Sequence, residues 1–341
     1  MEHIAIDLGS RQSQVCVRGS AGEILLERRV PTPEIARFLS QRPHGARVLV
    51  ESSCEAFTVA DWAVEAGHEA RVVPSSLVRA LGVGERGLKT DKRDARKLSE
   101  VDCRLEVPSI HIPSAMRREH QARVTARDAL VQTRTKLVNT VRSYLRSQAL
   151  PTLRCTAAGL PKAVRKVLQS ESEGVPDFLE HLLTTIESMN AQIGLADEAL
   201  KEIGQSDPVC KLLQTMPGVG PITAVCFASA IDDVSRFRTS AELTSYLGLT
   251  PGEATTGFKT RRTSLTKAGS SRARWTLNQA AWTLVRTQPD SPIGRWYESV
   301  AGRRGKKIAI CAVSRKMAAI LFSMWRDQQP YNPQKAARAM S

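Results

Sequence analysis

The order of short apolar runs near the start of the chain constrains the fold most. Residues 4–8, 14–18 and 23–30 have the composition of strands, and glycines between the last two predict a turn. Two helix-like segments then alternate with two further strand-like runs, namely a helix at 33–42, a strand at 47–51, a helix at 56–66 and a strand at 69–73. The order predicts a mixed α/β domain, with strand 47–51 apolar enough to lie inside the sheet.

Four acidic residues lie where such a domain would bring them together. Asp7 ends the apolar run IAID, and Glu51 ends the run RVLVE. A charged, glycine-rich loop containing Gly82, Gly84 and Gly87 leads to a helix-like segment, on which Asp91 and Asp94 are one turn apart. Burying a carboxylate at a strand end costs free energy unless it has a partner. We therefore predict a shared divalent cation, Mg²⁺ or Mn²⁺, because all four ligands are hard oxygens.

Each of these acids alone has a simpler explanation. Thr90 and Asp91 make an ordinary helix N-cap, and a single acid at a strand end can be a surface residue. Only the four together, in this order, favour a metal site that could hold two ions for phosphoryl transfer.

The charge of the chain points to an anionic partner. The 341 residues carry a net charge of +15, and residues 211–341 hold +13 of it. Nucleic acid is the commonest partner of proteins with such an excess of positive charge. The seven cysteines form no C-x-x-C pair, which disfavours zinc and a disulfide framework. We predict no signal peptide, no membrane span and no membrane partner, and expect a cytoplasmic protein associated with the bacterial nucleoid.

The middle of the chain is predicted to be helical. Residues 114–150 form a long basic segment, and a polar stretch broken by prolines (151–176) follows. Apolar residues then alternate at spacings of three and four, at Leu179, Leu182, Ile186, Met189, Ile193, Ala196, Leu200 and Ile203. This is a heptad seam with acidic flanks. A basic and an acidic helix suit an antiparallel coiled-coil arm, within a subunit or between subunits.

The last third combines a glycine turn with basic clusters. The letters PGVGP predict a helix-hairpin-helix in which Gly218 and Gly220 let the backbone approach a DNA phosphate, although an ordinary turn between two helices explains them as well. A basic, hydroxyl-rich loop, helices at 272–287 and 306–327 and a frayed tail follow, and Trp275, Trp282, Trp296 and Trp325 are expected in the core. Two cationic clusters are predicted to bind nucleic acid, namely Lys259, Arg261, Arg262, Lys267 and Arg272, then Arg303, Arg304, Lys306 and Lys307.

Motifs along nearly the whole chain resemble one family. They are IAIDLGS, VLVES, KTDKRDARKL, MPGVGPITA, YLGLTP, LTKAG and GKKIAICAVSRKMAAIL. They are similar to those of the DEDD transposases of the bacterial insertion-sequence family IS110, which are related to the Piv-type DNA invertases. The strand and helix order is that of the ribonuclease-H-like fold. The resemblance implies a RuvC-like DEDD nuclease domain (1–110), a helical coiled-coil connector (111–207), a C-terminal transposase domain with the helix-hairpin-helix (208–330) and a tail (331–341).

By motif match, the resemblance implies that Asp7, Glu51, Asp91 and Asp94 are the metal-binding acids. It also implies a C-terminal serine hydroxyl before a glycine, which attacks a DNA phosphate. This chain has Thr255 and Thr256 before Gly257 at that point. A threonine hydroxyl can act as the same nucleophile, but its methyl group crowds the oxygen. Thr256 is favoured as the nucleophile because it lies next to glycine. Alternatively, Thr255 is the nucleophile, or the element is impaired in strand transfer. A further alternative is that both hydroxyls are solvated loop groups without a role.

The implied function is therefore that of a transposase or site-specific recombinase, with Mg²⁺-dependent cleavage and exchange of DNA strands. The resemblance further implies an element-encoded guide RNA and a homo-oligomer, a dimer or tetramer. Two alternatives remain open. A stand-alone nuclease of the Holliday-junction type would use only the acids, and Thr256→Ala would leave its cleavage intact. A catalytically inactive DNA-binding relic would show no Mg²⁺-dependent activity, and Asp7→Asn would change nothing.

Overall fold

A computed structural model of the protein describes residues 1–80, 91–171, 174–256 and 259–338. The chain divides into two compact units, Met1–Pro113 and Ser114–Ser341. Each unit is described by itself below. The predicted loop with Gly82, Gly84 and Gly87 lies outside the described residues.

The first unit is built on one mixed sheet of five strands. The strands are β1 (His3–Asp7), β2 (Gln12–Arg18), β3 (Ile24–Pro31), β4 (Arg47–Glu51) and β5 (Glu69–Val73). Their order across the sheet is β3-β2-β1-β4-β5. The first three strands pair antiparallel, whereas β1, β4 and β5 are parallel. All five predicted strands are present, each within two residues of its predicted bounds.

Helices cover both faces of this sheet. They are α1 (Ile35–Ser40), α2 (Ala56–Glu65), α3 (Ser75–Ala80) and α4 (Asp91–Arg104). On one face, the even-numbered residues of β1 and β4 pack with α1 and α2. On the other face, Ala5, Leu49 and Val73 pack with Leu98 and Val101 of α4. Burial of both faces explains why β1 and β4 are apolar without alternation. The sequence predicts α1, α2 and α4 but not the short α3.

The second unit begins with three helices, α5 (Ala115–Ser147), α6 (Leu160–Glu171) and α7 (Asp177–Ser206). The contacts pair the start of α5 with the end of α7, and the end of α5 with the start of α7. Arg117 pairs with Asp207, Arg127 Nε lies 2.6 Å from Asp197 Oδ1, and the rings of Tyr144 and Phe178 lie edge to face at 5.1 Å. The two long helices are therefore antiparallel partners within one chain.

The predicted heptad seam lies on the buried side of α7. Every seventh residue from Leu179 to Leu200 is buried, and the seam residues between them are half-buried. Leu183 and Gly204 are also buried, although neither belongs to the predicted seam. The buried stripe is thus wider than a strict heptad seam, because α6 packs against α7 in addition to α5.

The rest of the second unit is mostly helical. Its elements are α8 (Pro208–Leu213), α9 (Pro221–Ile231), α10 (Ser240–Tyr246), β6 (Pro251–Thr256), β7 (Lys259–Leu265), α11 (Ser271–Thr287), α12 (Pro292–Arg304), α13 (Lys306–Asp327) and α14 (Pro333–Arg338). Phe227 of α9, Leu277 of α11 and Phe322 of α13 belong to one apolar core. The predicted helices 272–287 and 306–327 correspond to α11 and α13, whereas α12 was not predicted.

Helix α13 corrects one expectation about membranes. At 22 residues and a mean hydropathy of 1.5, it is long and apolar enough to span a bilayer, so length alone does not exclude a span. Most of it is buried inside the second unit, where Val313, Met317 and Leu321 have no exposed surface. Packing against α10, α11 and α12 explains its composition, as expected of a core helix.

Two further expectations about this unit are wrong. The predicted loop after residue 250 contains a hairpin, in which Thr256 pairs with Lys259 and Pro251 with Leu265. Its many threonines are β-branched and favour strands despite the flanking charges. The tail is not frayed up to Arg338, because α14 is capped by Asn332, whose Oδ1 accepts a 2.9 Å hydrogen bond from Gln334 N, and Ala336 is buried.

Candidate active site and nucleic-acid interface

Asp7 and Glu51 end neighbouring parallel strands. The register pairs His3 with Arg47 and continues to Ile6 with Val50, which brings the next residues, Asp7 and Glu51, to the same edge of the sheet. Both are half-buried.

The two acids also share a face of the sheet. Because side chains alternate along a strand, Asp7 lies on the face of Ala5, and Glu51 on the face of Leu49. Ala5 and Leu49 both pack with α4. The carboxylates therefore stand on the α4 side of the sheet.

Helix α4 runs antiparallel to β1. Near its end, the Asp102 carboxylate Oδ2 lies 2.5 Å from His3 Nδ1, at the start of β1. One turn earlier, Ser99 Oγ donates a 3.3 Å hydrogen bond to Cys16 Sγ, and Cys16 pairs with Ala5. From Ser99 back to Asp94 the axis of α4 advances about 7.5 Å. From Ala5 to Asp7 the strand β1 advances about 6.7 Å in the same direction. Because the two distances are similar, Asp94 lies near the level of Asp7.

The burial of Asp94 agrees with this placement, since the residue is only 7% exposed and lies on the sheet-facing side of α4. Asp91 begins α4 one turn earlier, but its side chain lies outside the described residues. We call Asp7, Glu51 and the first turn of α4 the acidic corner. Within the described part of the chain, no three His, Cys, Asp or Glu side chains are close enough to hold a metal ion.

A second polar cluster lies at the opposite end of β1. Asp102 has no exposed side-chain surface, and its carboxylate contacts His3 Nδ1 and, at 3.6 Å, Arg47 Nη1. A buried carboxylate needs such partners. The sequence signal for this cluster was weak, because Asp102 lies in an otherwise surface-like helix. The contacts of Asp102 with His3 and Arg47 fix the direction of α4 and thereby the position of Asp94.

Thr255 and Thr256 lie at the end of β6. Thr255 pairs with Thr260, and Thr256 with Lys259, across the hairpin. The side chains of both threonines, and those of Lys259, Arg261 and Arg262, lie outside the described residues, as does Gly257. The backbone nevertheless brings the two threonines and the first residues of the basic cluster to the same end of one hairpin.

The two glycines of the PGVGP turn have different surroundings. Gly218 has φ +83°, and a Cβ there would lie 2.5 Å from the carbonyl oxygen of Ala280 on α11. Close packing therefore accounts for this glycine. Gly220 is exposed at the N-cap of α9, and a Cβ there would meet no atom within 4 Å. Of the two glycines, only Gly220 leaves room beside its Cα for a bound group. It lies at a helix N-terminus, which attracts anions.

Lys267, just before α11, and Arg272, on α11, were both predicted to contact phosphate, but only Lys267 has a side chain that is exposed to solvent. Lys267 is exposed, and its backbone has φ +55°. Arg272 is half-buried, with its Nε 2.6 Å from Asp128 Oδ2 and its Nη1 donating a 2.7 Å hydrogen bond to Thr125 Oγ1. Its guanidinium is thus engaged with α5, which weakens the prediction that it contacts phosphate.

All four residues of the second cationic cluster are exposed. It spans the end of α12 and the start of α13, around Gly305, which has φ +83°, and consists of Arg303, Arg304, Lys306 and Lys307. Helix α13 begins without a side-chain cap. Lysines at the positive end of a helix repel its dipole, so an anion bound there would relieve both charges.

The tryptophans are only partly core residues. Trp325 is 5% exposed and belongs to the core, as predicted, but Trp275 is 52% exposed and Trp282 is 38% exposed. The expectation is wrong for Trp282 and for the more exposed Trp275. Its neighbours Ala273, Thr276 and Leu277 occupy the buried face of α11, which turns residue 275 outward.

Two models of transposase families match parts of the chain. The model of the DEDD transposases of the IS110 type matches residues 4–149. The model of the transposase IS116/IS110/IS902 family matches residues 210–293.

Several relatives cover most of the chain. The transposase for insertion sequence element IS1111A of Coxiella burnetii is 24% identical, over 96% of this chain and 90% of its own length. A probable family 20 transposase of Pseudomonas aeruginosa is 25% identical, over 98% and 99%. The putative transposase y4qE of Sinorhizobium fredii is 30% identical, over 76% and 70%.

A mixed α/β unit with acids at one sheet edge and a basic, mostly helical second unit define a DNA transposase. The chain belongs to the IS116/IS110/IS902 family of insertion-sequence transposases.

Proposed function

We propose that the first unit is a RuvC-like nuclease domain whose acidic corner holds Mg²⁺ or Mn²⁺. The ligands would be Asp7, Glu51, Asp91 and Asp94. The observation that carries the proposal is the register of β1 with β4, together with the antiparallel course of α4 over β1. For this reason Asp7 and Glu51 end at one edge and on one face of the sheet, and Asp94 lies on the helix that packs on that face.

The donor set fits such an ion. All four side chains offer carboxylate oxygens, which Mg²⁺ and Mn²⁺ prefer, and the set contains no histidine or cysteine. When bound, the metal would stabilise the charge on the attacking and leaving oxygens of a phosphodiester. The carboxylates would be held in place by strands buried on both faces and by the Asp102 cluster beneath α4.

We further propose that a threonine hydroxyl of the hairpin is the nucleophile. The oxygen of Thr256, or of Thr255, would form a bond to the phosphorus of a DNA phosphate. The bond from phosphorus to the leaving sugar oxygen would break, and the hydroxyl proton would end on that oxygen. The result is a covalent protein–DNA ester that retains the energy for rejoining strands.

The basic surface of the second unit would bind the DNA. Lys259, Arg261 and Arg262 lie on the strand after the threonines, and the exposed cluster around Gly305 adds four cations. Gly220 at the N-terminus of α9 would add backbone N–H groups in a helix-hairpin-helix contact. Binding of this kind weakens steeply with salt.

The finer partners belong to the same proposal. Family membership favours an element-encoded guide RNA and a homo-oligomer, dimer or tetramer, acting at the bacterial nucleoid. The exposed arginines of α5, such as Arg123 and Arg146, are compatible with an RNA backbone. The antiparallel pair of α5 and α7 would be the coiled-coil connector (111–207) between the nuclease domain and the C-terminal transposase domain (208–330).

The test is a cleavage assay on supercoiled DNA carrying the element and its flanks, with Mg²⁺, followed by a search for covalent adducts by mass spectrometry. We expect an adduct on Thr256 or Thr255 in the wild type. Asp7→Asn and Glu51→Gln should each abolish both cleavage and adduct. Glu55→Gln is the matched control, because this exposed acid lies four residues after Glu51 and makes no capping hydrogen bond.

Substitutions of the hydroxyls separate the alternatives. Thr255→Val and Thr256→Val remove a hydroxyl at nearly constant volume, and Thr263→Val, in an exposed position of β7, is their control. Cleavage that persists without an adduct in the double variant would indicate a stand-alone nuclease. Absence of any Mg²⁺-dependent cleavage in the wild type, with its element DNA and RNA supplied, would indicate a DNA-binding relic and refute the proposal.

A further inference from the structure

A groove separates α5 from the first turns of α11. Its volume is ≈ 620 Å³, and its lining includes Gln132, Thr135, Lys136, Arg272 and Trp275. This volume falls within the roughly 300–1,000 Å³ of small-ligand clefts. The residues that line it belong to the second unit. We call it the Trp275 groove.

The indole of Trp275 supplies an unpacked aromatic face. It is 52% exposed, whereas Trp325 on α13 is 5% exposed in the core. A scattered exposed side chain needs no explanation, but this ring lines a concave surface together with polar and cationic groups. An aromatic ring that is half in solvent can stack a flat ligand without disturbing the core beneath α11.

The polar lining is suited to a nucleotide. Arg272 is held by Asp128 and Thr125, so one wall is fixed before a ligand arrives. The charge of Asp128 is offset further by Arg127, whose Nη1 lies 3.6 Å from Asp128 Oδ1. Exposed Gln132 offers hydrogen-bond donors and an acceptor, and exposed Lys136 offers a positive charge. The Thr135 hydroxyl donates to Val131 O at 2.8 Å, so it offers a ligand an acceptor.

We propose that the Trp275 groove binds one unstacked nucleotide of a single-stranded nucleic acid. The base stacks on the indole, its edge bonds to Gln132 or Thr135, and its phosphate lies near Lys136. This inference rests on the proposed function, in that the chain acts on nucleic acid, and it adds a single-strand contact on a surface outside the acidic corner. A paired base in a duplex is covered on both faces and cannot reach the indole.

The experiment measures affinity by fluorescence anisotropy for a 12-nucleotide oligothymidylate, an oligouridylate of the same length and a 12-base-pair duplex. Stacking of one base predicts that Trp275→Ala weakens single-strand binding about 5- to 150-fold. Trp275→Phe should retain most of the affinity, and duplex binding should not change. Phe178→Ala is the matched control, since Phe178 is an aromatic residue of α7 that is 54% exposed.

A second variant tests the phosphate contact. Lys136→Gln should lower the salt dependence of single-strand binding by about 0.7 in the logarithmic slope, the value for one phosphate contact on a single strand. Lys162→Gln, which removes an exposed lysine of α6, should leave the slope unchanged. Comparison of the two oligonucleotides assigns the strand to DNA or to RNA.

The outcomes are distinct from those for the proposed function. Loss of single-strand affinity in Trp275→Ala, with Phe178→Ala unaffected, supports the groove. Equal affinity of wild type and Trp275→Ala for both oligonucleotides overturns it, while cleavage and the threonine adduct could still occur. A wild type that binds neither single strand nor duplex overturns the inference and also contradicts the proposed DNA-binding surface.

Discussion

Replacement of Gly218 by alanine should destabilise the second unit by an amount that the geometry bounds. The new Cβ would lie 2.5 Å from Ala280 O and 3.0 Å from Leu284 Cβ, and φ is +83°. The left-handed backbone costs about 1–2 kcal/mol for a residue with a Cβ. Relief of the overlap with α11 costs about 1–3 kcal/mol. Lower entropy of the unfolded chain returns about 0.4–1 kcal/mol, which leaves a net loss of about 1–5 kcal/mol, with a midpoint of about 3 kcal/mol.

Thermal unfolding followed by circular dichroism measures this loss. For a unit of this size, the loss corresponds to a fall in Tm of about 2–20 °C, and its midpoint to a fall of about 6–12 °C. Gly220→Ala is the control, because a Cβ there meets nothing within 4 Å and the expected loss is below about 1 kcal/mol. If Gly218→Ala unfolds at the wild-type temperature, the close approach of the turn to α11 is wrong. If instead Gly220→Ala weakens DNA binding at unchanged stability, the anion-binding interpretation of that glycine gains support.

Two further predictions concern the buried ion pair and the nucleophile. Burial raises the pKa of Asp207, but the charge and hydrogen bond of Arg117 and the N–H groups of α8 outweigh it, so the pKa lies below its ordinary value. That stabilisation is present above the ordinary pKa of about 3.9 and is lost as pH falls through the lower folded-state value. Arg117→Met should therefore cost about 2–4 kcal/mol in urea unfolding at pH 7, less at pH 3, and a gap that does not depend on pH would contradict the pairing. Thr256→Ser removes the methyl group beside the oxygen that we propose as the nucleophile, and it should raise the adduct yield several-fold. An unchanged yield would argue that Thr256 is not the nucleophile.

The sheet of the first unit could be predicted because its signals are local. Apolar runs such as IAID and RVLVE are short, bounded by turn residues and buried on both faces, so they do not resemble amphipathic helices. The acids at their ends stood out against this background. Their common face could not be derived from sequence, because it depends on the pairing of β1 with β4 and on the side of the sheet that α4 covers.

The errors in the second unit have physical causes. Charges in the segment after Pro251 masked the strand preference of its threonines, so a hairpin was taken for a loop. Helix α12 was missed although Ser291 caps it, with its Oγ accepting a 3.1 Å hydrogen bond from Gly294 N, and although Pro292 stands at its first position. The exposure of Trp275 depends on which face of α11 meets α9 and α13, and composition does not carry that information.

The direct test of the central claim is a titration of the protein with Mn²⁺, read by electron paramagnetic resonance. The acidic corner predicts bound Mn²⁺ in the wild type, competition by Mg²⁺, and affinity at least about tenfold weaker in Asp7→Asn and in Glu51→Gln, because each removes a charged ligand. Glu55→Gln should bind as the wild type does. Equal Mn²⁺ binding by the wild type and Asp7→Asn, with both proteins folded, would contradict the account.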